Sequence, residues 1–360
     1  MNEESSVNLE SLGWNSFFEE HFQPFRSEGF TAGRVAVEHK ERYELYTESG
    51  DLTGEVTGKF RFDAERRENF PAVGDWVVLH AIPEDGFASI HAVLPRRTKF
   101  SRKVAGNTTE EQIVAANIDT AFIVSGLDHD FNLRRIERYI LMTKESGAEP
   151  CVLLNKADLC TDIESRLSEV RSVAHEIPIH VLSALHHEGL EPLPAVIGEG
   201  NTAALLGSSG VGKSTIINQL LGSEVQKVQE VRNVLQKGKH TTSRRELFIL
   251  PGGGLLIDTP GMRELQLWSG EESLSSSFDD IERLAQDCRF RDCRHQSEPG
   301  CAVQSALNDG SLEEARFRNY LKMQKEIRYL ELRQDANAAR AEKVRWKKIS
   351  SAQRQLYKKK

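Results

Sequence analysis

No apolar run in the 360 residues approaches the ~18 needed to span a bilayer. The first ten residues, Met1 to Glu10, are acidic and polar, without the basic start and apolar stretch of a signal peptide. A membrane-free, cytoplasmic protein is expected. Cysteine is scarce: five residues, an odd number that suits a disulfide framework poorly. Positive charge is in deficit, with 47 Lys and Arg against 54 Asp and Glu, and a net charge of −7 taken alone argues against a nucleic-acid partner. What is not lacking is apolar content. A hydrophobic fraction of 39% supports packed cores and excludes wholesale disorder.

The distribution of these scarce residues is more informative than their totals. Between Ala315 and Lys360 there are 15 Lys and Arg against 4 Asp and Glu, a local net of +11 that leaves −18 on the remainder. An acidic body with a basic tail suggests a polyanionic partner. Basic residues there are interleaved with Trp346 and Tyr357, a composition suited to a tail that orders on RNA. Three of the five cysteines, Cys288, Cys293 and Cys301, crowd into 14 residues together with His295. Cys288-x4-Cys293-x-His295-x5-Cys301 supplies three thiolates and one imidazole, the ligand set of a closed, structural zinc site. Arg289, Arg291 and Arg294 sit among these ligands, where they can meet phosphates. Cys151 and Cys160 stand apart and read as ordinary thiols.

The length fits two or three domains. Residues 1–32 read as an N-terminal arm, loose apart from one helix. Five short strands follow at Arg34–Val37, Tyr43–Thr47, Gly54–Phe62, Asp75–His80 and Ala88–Val93, which suits an OB-fold barrel over 33–112. From 113 to 270 buried strands alternate with helices, an α/β pattern with a largely parallel sheet. Strands are predicted at Thr120–Val124, Cys151–Leu154, His180–Leu182 and Ala203–Leu206. Glu246–Leu250 and Leu255–Ile257 flank Pro251-Gly252-Gly253-Gly254 and read as an antiparallel hairpin. Residues 271–360 are expected to form a mainly helical zinc-binding domain with the basic tail.

The α/β region carries the chemistry. Ala203–Leu206 runs into Gly207-Ser208-Ser209-Gly210-Val211-Gly212-Lys213-Ser214-Thr215 and then a helical stretch, the strand–loop–helix setting that a phosphate-binding P-loop requires. Its backbone amides form an anion nest at a helix N-terminus. Lys213 would reach the β- and γ-phosphates and the Ser214 hydroxyl would ligate Mg²⁺. Downstream, Leu255–Ile257 ends in Asp258-Thr259-Pro260-Gly261, where Asp258 can hold Mg²⁺ and the Gly261 amide can bond the γ-phosphate. Asn155-Lys156-Ala157-Asp158 ends another buried strand. The Asp158 carboxylate can accept from guanine N1–H and the 2-amino group together, and adenine offers neither donor. The Lys156 stem can lie along the base, Asn155 can tie this loop to the P-loop, and Ser183-Ala184 fits a second base-contacting loop through its backbone amide.

The order of these motifs is unusual. A Ras-like GTPase carries P-loop, switch Thr, D-x-x-G, N-K-x-D, then S-A; this chain reads N-K-A-D, S-A, P-loop, Thr241/Thr242, D-T-P-G. Permutation is tolerable because the ends of a compact domain lie close together. At this point the sequence resembles the circularly permuted GTPases of the ribosome small subunit-dependent GTPase A family, over nearly the whole chain. The resemblance implies an OB-fold, a permuted Ras-like G domain and a zinc-bearing C-terminal domain. It also implies one structural Zn²⁺, Mg²⁺ with GTP, and GTP hydrolysis stimulated by the small (30S) ribosomal subunit and its 16S rRNA during late maturation. A monomer is expected.

Thr241 or Thr242 is the switch threonine that closes over Mg²⁺ and γ-phosphate, the choice between them being open. The residue after Gly261, which normally orients the attacking water, is Met262, which can neither donate nor accept usefully. Slow intrinsic hydrolysis is therefore expected. His240 resembles the family's switch histidine and is the candidate for positioning the water. A metabolic P-loop kinase is disfavoured by Asp158 and the two switch segments. An RNA-binding module with a vestigial site is disfavoured by the intact Lys213, Ser214 and Asp258.

Overall fold

The computed structural model describes residues 8–103, 111–222, 245–258, 274–275, 277–296 and 298–329. They belong to two units, Met1–Lys103 with Glu110–Gln266 and Val104–Thr109 with Leu267–Lys360. His240, Thr241, Thr242, Gly261, Met262 and the basic tail beyond Tyr329 lie outside the described residues.

Five strands open the first unit: β1 (Thr31–Glu38), β2 (Tyr43–Thr47), β3 (Gly50–Val56), β4 (Trp76–Ile82) and β5 (Phe87–Val93). β1 pairs β2, β2 pairs β3, β3 pairs β5 in parallel, β5 pairs β4, and β4 returns to β1, which closes the barrel. Val35, Leu45, Leu52, Val77, Leu79, Ala88 and Ile90 fill it. This is the OB-like barrel expected, with one correction. The strand predicted over Gly54–Phe62 stops at Val56, because Thr57 caps a short helix, Gly58–Asp63, by accepting from the Phe60 amide at 3.1 Å. Residues 8–30 are no loose arm either. Helix Ser16–Arg26 is capped by Asn15, and Leu12, Phe18 and Phe22 are buried, with Trp14 edge-on to Trp76 at 4.7 Å.

A two-stranded ribbon, β6 (Lys99–Lys103) with β7 (Glu111–Ala116), leads into the second sheet. There β8 (Thr120–Gly126), β9 (Glu149–Asn155), β10 (Ile179–Val181), β11 (Thr202–Leu206) and β13 (Leu255–Asp258) run parallel in the order β10-β9-β8-β11-β13. β12 (Glu246–Ile249) is antiparallel to β13, as the hairpin reading required. The parallel strands read as continuous apolar runs because helices cover them on both faces. β12 also pairs with β1 of the barrel at Val37↔Glu246, so one eleven-stranded sheet runs through both parts. The six consecutive buried residues of β1 follow from its neighbours β2, β4 and β12.

Arg34 locks this junction. Fully buried, it donates to Leu12 O, Gly74 O (3.3 Å), Asn117 O (3.1 Å) and Thr202 Oγ1 (2.7 Å), and lies over Trp76. Burial pulls its guanidinium down to about 10, with Asp119 and Asp75 opposing, so it stays charged near neutrality. The N-terminal segment, the barrel and the α/β sheet thus share one hydrogen-bonding hub.

In the second unit, helices Asp279–Gln286, Ala302–Asp309 and 314–329 pack around Phe278, Ile281, Val303, Phe317, Tyr320, Met323 and Ile327. Arg316 grips Asp280 through two bonds of 2.7 and 2.6 Å and lies over Phe278. The aromatic face of the last helix is therefore core. Among the described residues no helix is long and apolar enough to cross a membrane.

Candidate nucleotide site and metal centre

In an open α/β sheet the loops at the carboxyl ends of the parallel strands form the binding crevice. Among the described residues four such loops, after β8, β9, β10 and β11, converge here. β11 enters the P-loop, and a helix over 213–222 follows directly. A side chain at Gly207 would strike the Val124 carbonyl, and one at Gly212, where φ is +98°, would strike Asn155 Nδ2. Only glycine admits so close an approach. Lys213 Nζ donates to Gly207 O (2.8 Å) and Ser208 O (2.7 Å), folded over the loop whose anion it would meet. Ser214 is exposed at the helix start, and Ser209 and Gly210 form the exposed tip of the loop. Thr215 follows Ser214 on the same helix.

Asn155, at the end of β9, is 3% exposed and does what its position suggested. Its Nδ2 donates to Val211 O of the P-loop at 2.8 Å, and its Oδ1 accepts from the Ala184 amide at 3.0 Å. One side chain therefore joins three loops. Lys156 takes a left-handed conformation, φ +65°, and opens the short turn Ala157–Leu159 that carries Asp158. Asp158 Oδ1 accepts from Ser183 Oγ at 2.5 Å, and this bond holds the carboxyl below its ordinary range. The Ser183-Ala184 pair is tied into the same rim. Both its amides are engaged, Ser183 with Glu188 O and Ala184 with Asn155, so neither meets a base as the loop stands. Its contribution is the Ser183 hydroxyl that orients Asp158.

Asp258 ends β13 beside the P-loop strand. Burial raises its pKa and the nearby Lys213 opposes the rise. A partly desolvated carboxylate is a hard-oxygen donor of the kind that suits Mg²⁺. The loop after β8 adds two carboxylates that no motif announces. Asp128 Oδ2 meets Lys156 Nζ at 2.6 Å, and Asp130 Oδ2 accepts from Ser208 Oγ at 2.6 Å. The available signal was the placement of Asp128-His129-Asp130 at the end of a buried strand, like Asn155 to Asp158 and the P-loop.

In the second unit Cys288, Cys293, His295 and Cys301 bring one donor atom each within 4.8 Å of one another. Cys288 Sγ lies 3.8 Å from Cys301 Sγ and 3.5 Å from His295 Nδ1, which is 3.4 Å from Cys301 Sγ. A tetrahedral ion with metal–sulfur bonds of about 2.3 Å and metal–nitrogen bonds of about 2.0 Å has edges of about 3.8 and 3.5 Å. The group can hold such a metal. Burial opposes ionisation of Cys288, yet the amides of Val303 and Ala302 outweigh it and hold the thiol below its ordinary value. Burial also lowers the pKa of His295, which favours the neutral ligand form.

Comparison with known proteins agrees with this geometry. The RsgA GTPase family model matches residues 93–268. A protein of Opitutus terrae named small ribosomal subunit biogenesis GTPase RsgA is 49% identical over 357 residues, 97% of each chain. Its counterpart RsgA 1 of Oceanobacillus iheyensis is 48% identical, over 89% of this chain and 92% of its own. The crystal structure of YjeQ from Thermotoga maritima superposes with a TM-score of 0.60 at 26% identity, covering 83% of this chain and 98% of that one. YloQ, described as a circularly permuted GTPase, gives 0.56 at 24% identity, with 83% and 95% covered, and shares the fold.

Proposed function

The chain belongs to the RsgA GTPase family, and from that premise we propose that it hydrolyses GTP in the biogenesis of the small ribosomal subunit, with its nucleotide state controlling its grip on that subunit. The observation that carries the reading is the Asn155 bridge, which joins the N-K-A-D strand end, the Ser183-Ala184 loop and the P-loop into one rim. A rim built this way presents Asp158 to one edge of a bound base and the P-loop amides to its phosphates. Guanine has two donors for Asp158, whereas adenine would leave that carboxylate unpaired.

The roles follow from position. The amides of Gly207–Thr215 and the Lys213 ammonium would bind the phosphates and offset the charge that builds on the leaving β-phosphate oxygen. Ser214, Asp258 and Thr241 or Thr242 would hold Mg²⁺, which would supply positive charge against the phosphates. The Gly261 amide would bond the γ-phosphate. Water attacks the γ-phosphorus, the bond to the β-phosphate oxygen breaks, and GDP and phosphate leave. His240 would position that water, since the neighbouring Met262 has no useful donor or acceptor. Zinc is the metal we assign to Cys288, Cys293, His295 and Cys301, because three thiolates and an imidazole with no vacant position suit it as a structural ion. Arg289, Arg291 and Arg294, all exposed, are the phosphate-contacting residues we assign to the 16S rRNA surface, together with the basic tail.

The test is a GTPase assay of the monomeric full chain with and without purified 30S subunits, at several salt concentrations. GTP turnover should exceed ATP turnover, rise with 30S, and lose that stimulation as salt increases. Equal use of ATP, or no response to 30S, would refute the reading. Equal 30S affinity with a GTP analogue and with GDP would remove the nucleotide control.

A further inference from the structure

The loop between β8 and helix Leu133–Ser146, residues 127–131, carries two carboxylates that the motifs above do not use. Asp128 is only 10% exposed and meets Lys156 Nζ at 2.6 Å. Asp130 accepts from Ser208 Oγ in the P-loop. The loop is itself held without any nucleotide. Leu127 N bonds Asn155 O at 2.8 Å, and the Asp130 amide donates to Asp128 Oδ1 at 3.1 Å. Arg135 from the following helix bonds Asp130 Oδ1 at 3.0 Å, and Arg166 lies over Phe131 at 4.6 Å. Gly126 completes the arrangement, because a side chain there would press on Asp128 Oδ1 at 2.8 Å and reach Lys156 Cδ at 3.5 Å. The lysine stem therefore crosses the end of β8 through a gap that glycine leaves.

We propose that this loop is a third, positioning wall of the guanine-nucleotide site: Asp128 fixes Lys156 so that its stem lies ready along the base, and Asp130 fixes the P-loop at Ser208. The inference rests on the GTP-binding reading above and adds residues to it. The physical point is pre-organisation. A lysine stem held at its far end by a carboxylate has already lost the rotamer freedom that binding would otherwise remove. Asp128 touches neither base nor phosphate, so its effect passes through Lys156 and falls equally on GDP and GTP. Asp130 acts on the P-loop instead, and its effect is independent of Lys156.

The test is equilibrium binding of a fluorescent N-methylanthraniloyl GDP to the full chain and to Asp128→Ala, Asp128→Asn, Lys156→Ala and the Asp128→Ala/Lys156→Ala double variant. Thermal melting reports on the fold of each. Asp128→Ala should weaken GDP and GTP by the same factor, about 10-fold for a hydrogen bond to a charged group. The loss should appear in Kd and KM rather than in kcat. Asp128→Asn, which keeps an acceptor, should recover part of it. In the Lys156→Ala background Asp128→Ala should cost nothing more. Wild-type affinity in Asp128→Ala, or a full further loss in the double variant, would overturn the inference while leaving the GTP reading intact. Failure of the wild-type chain to bind the probe would refute both.

Discussion

The nucleotide rim and the cysteine–histidine cluster are built by opposite means. Every loop of the rim leaves a strand of one sheet, over a core in which Phe122, Leu153, Leu205 and Leu256 are almost fully buried. Its polar residues then bond one another, Asn155 to Val211 and Ala184, Ser183 to Asp158, Asp130 to Ser208. The four residues of the cluster come from a stretch of turns, with His295 itself at φ +56°. Short-range bonds hold that segment, among them Gln304 Nε2 to His295 O at 2.6 Å, Arg289 N to Gly300 O at 3.0 Å and Arg294 N to Glu298 Oε1 at 3.0 Å, beside the cluster's own contacts. In the first region the fold makes the site; in the second a bound metal is expected to help make the fold.

The comparison can be broken first at the metal. Chelation, or Cys301→Ser, should abolish hydrogen-exchange protection in helices Asp279–Gln286 and Ala302–Asp309 and leave β8–β11 protected. The expected effect is large, since small structural zinc sites bind with ~10 kcal/mol or more of apparent energy. Unchanged protection in the second unit after zinc loss, checked by metal analysis, would end the contrast. Next comes Asn155→Ala, which strands the buried Val211 carbonyl and Ala184 amide. It should cost about 2–4 kcal/mol in global stability and weaken GDP as well, by denaturant unfolding and by titration. A loss confined to one readout would mean the rim is not one unit.

A smaller effect concerns pH. The bond from Ser183 holds Asp158 below its ordinary 3.8, and the proposed contact with guanine needs the carboxylate. A depressed acid keeps its charged form as pH falls until the lowered value is crossed. GDP affinity should therefore show no step at 3.8 or above from this group, and Ser183→Ala should move the fall upward. The smallest effect is expected at the exposed pair Arg166–Glu169, 3.0 Å apart. Glu169→Ala should change stability by about 0.5 kcal/mol or less and leave both sites untouched.

Residues close in sequence or bound to a strict spacing were legible beforehand. The glycines of the P-loop, Asn155 to Asp158 at a strand end, and the Cys288–Cys301 spacing each carry their geometry within a short segment. So did the alternation that located most strands, but not the end of β3, where one capping threonine outweighs the pattern across Gly58–Phe62. Contacts spanning the chain left no local mark. Arg34 reaches Thr202 across 168 positions and reads as a surface cation until its four partners are seen. Asp128 and Asp130 were hidden the same way, since Lys156 and Ser208 lie 28 and 78 residues further on. The amides of Ser183 and Ala184 show the reverse failure: the loop was found, but its donors were already taken.

The single pairing between Val37 and Glu246 has a further consequence. Without β1, Glu246 would lose its cover and β12 would be the outermost strand of the α/β sheet, ending at the partly exposed Ile249. Such a margin is a template for other chains. The barrel covers that margin at Glu246, and a fragment beginning after Val93 should pair more readily through β12, as size-exclusion chromatography would show.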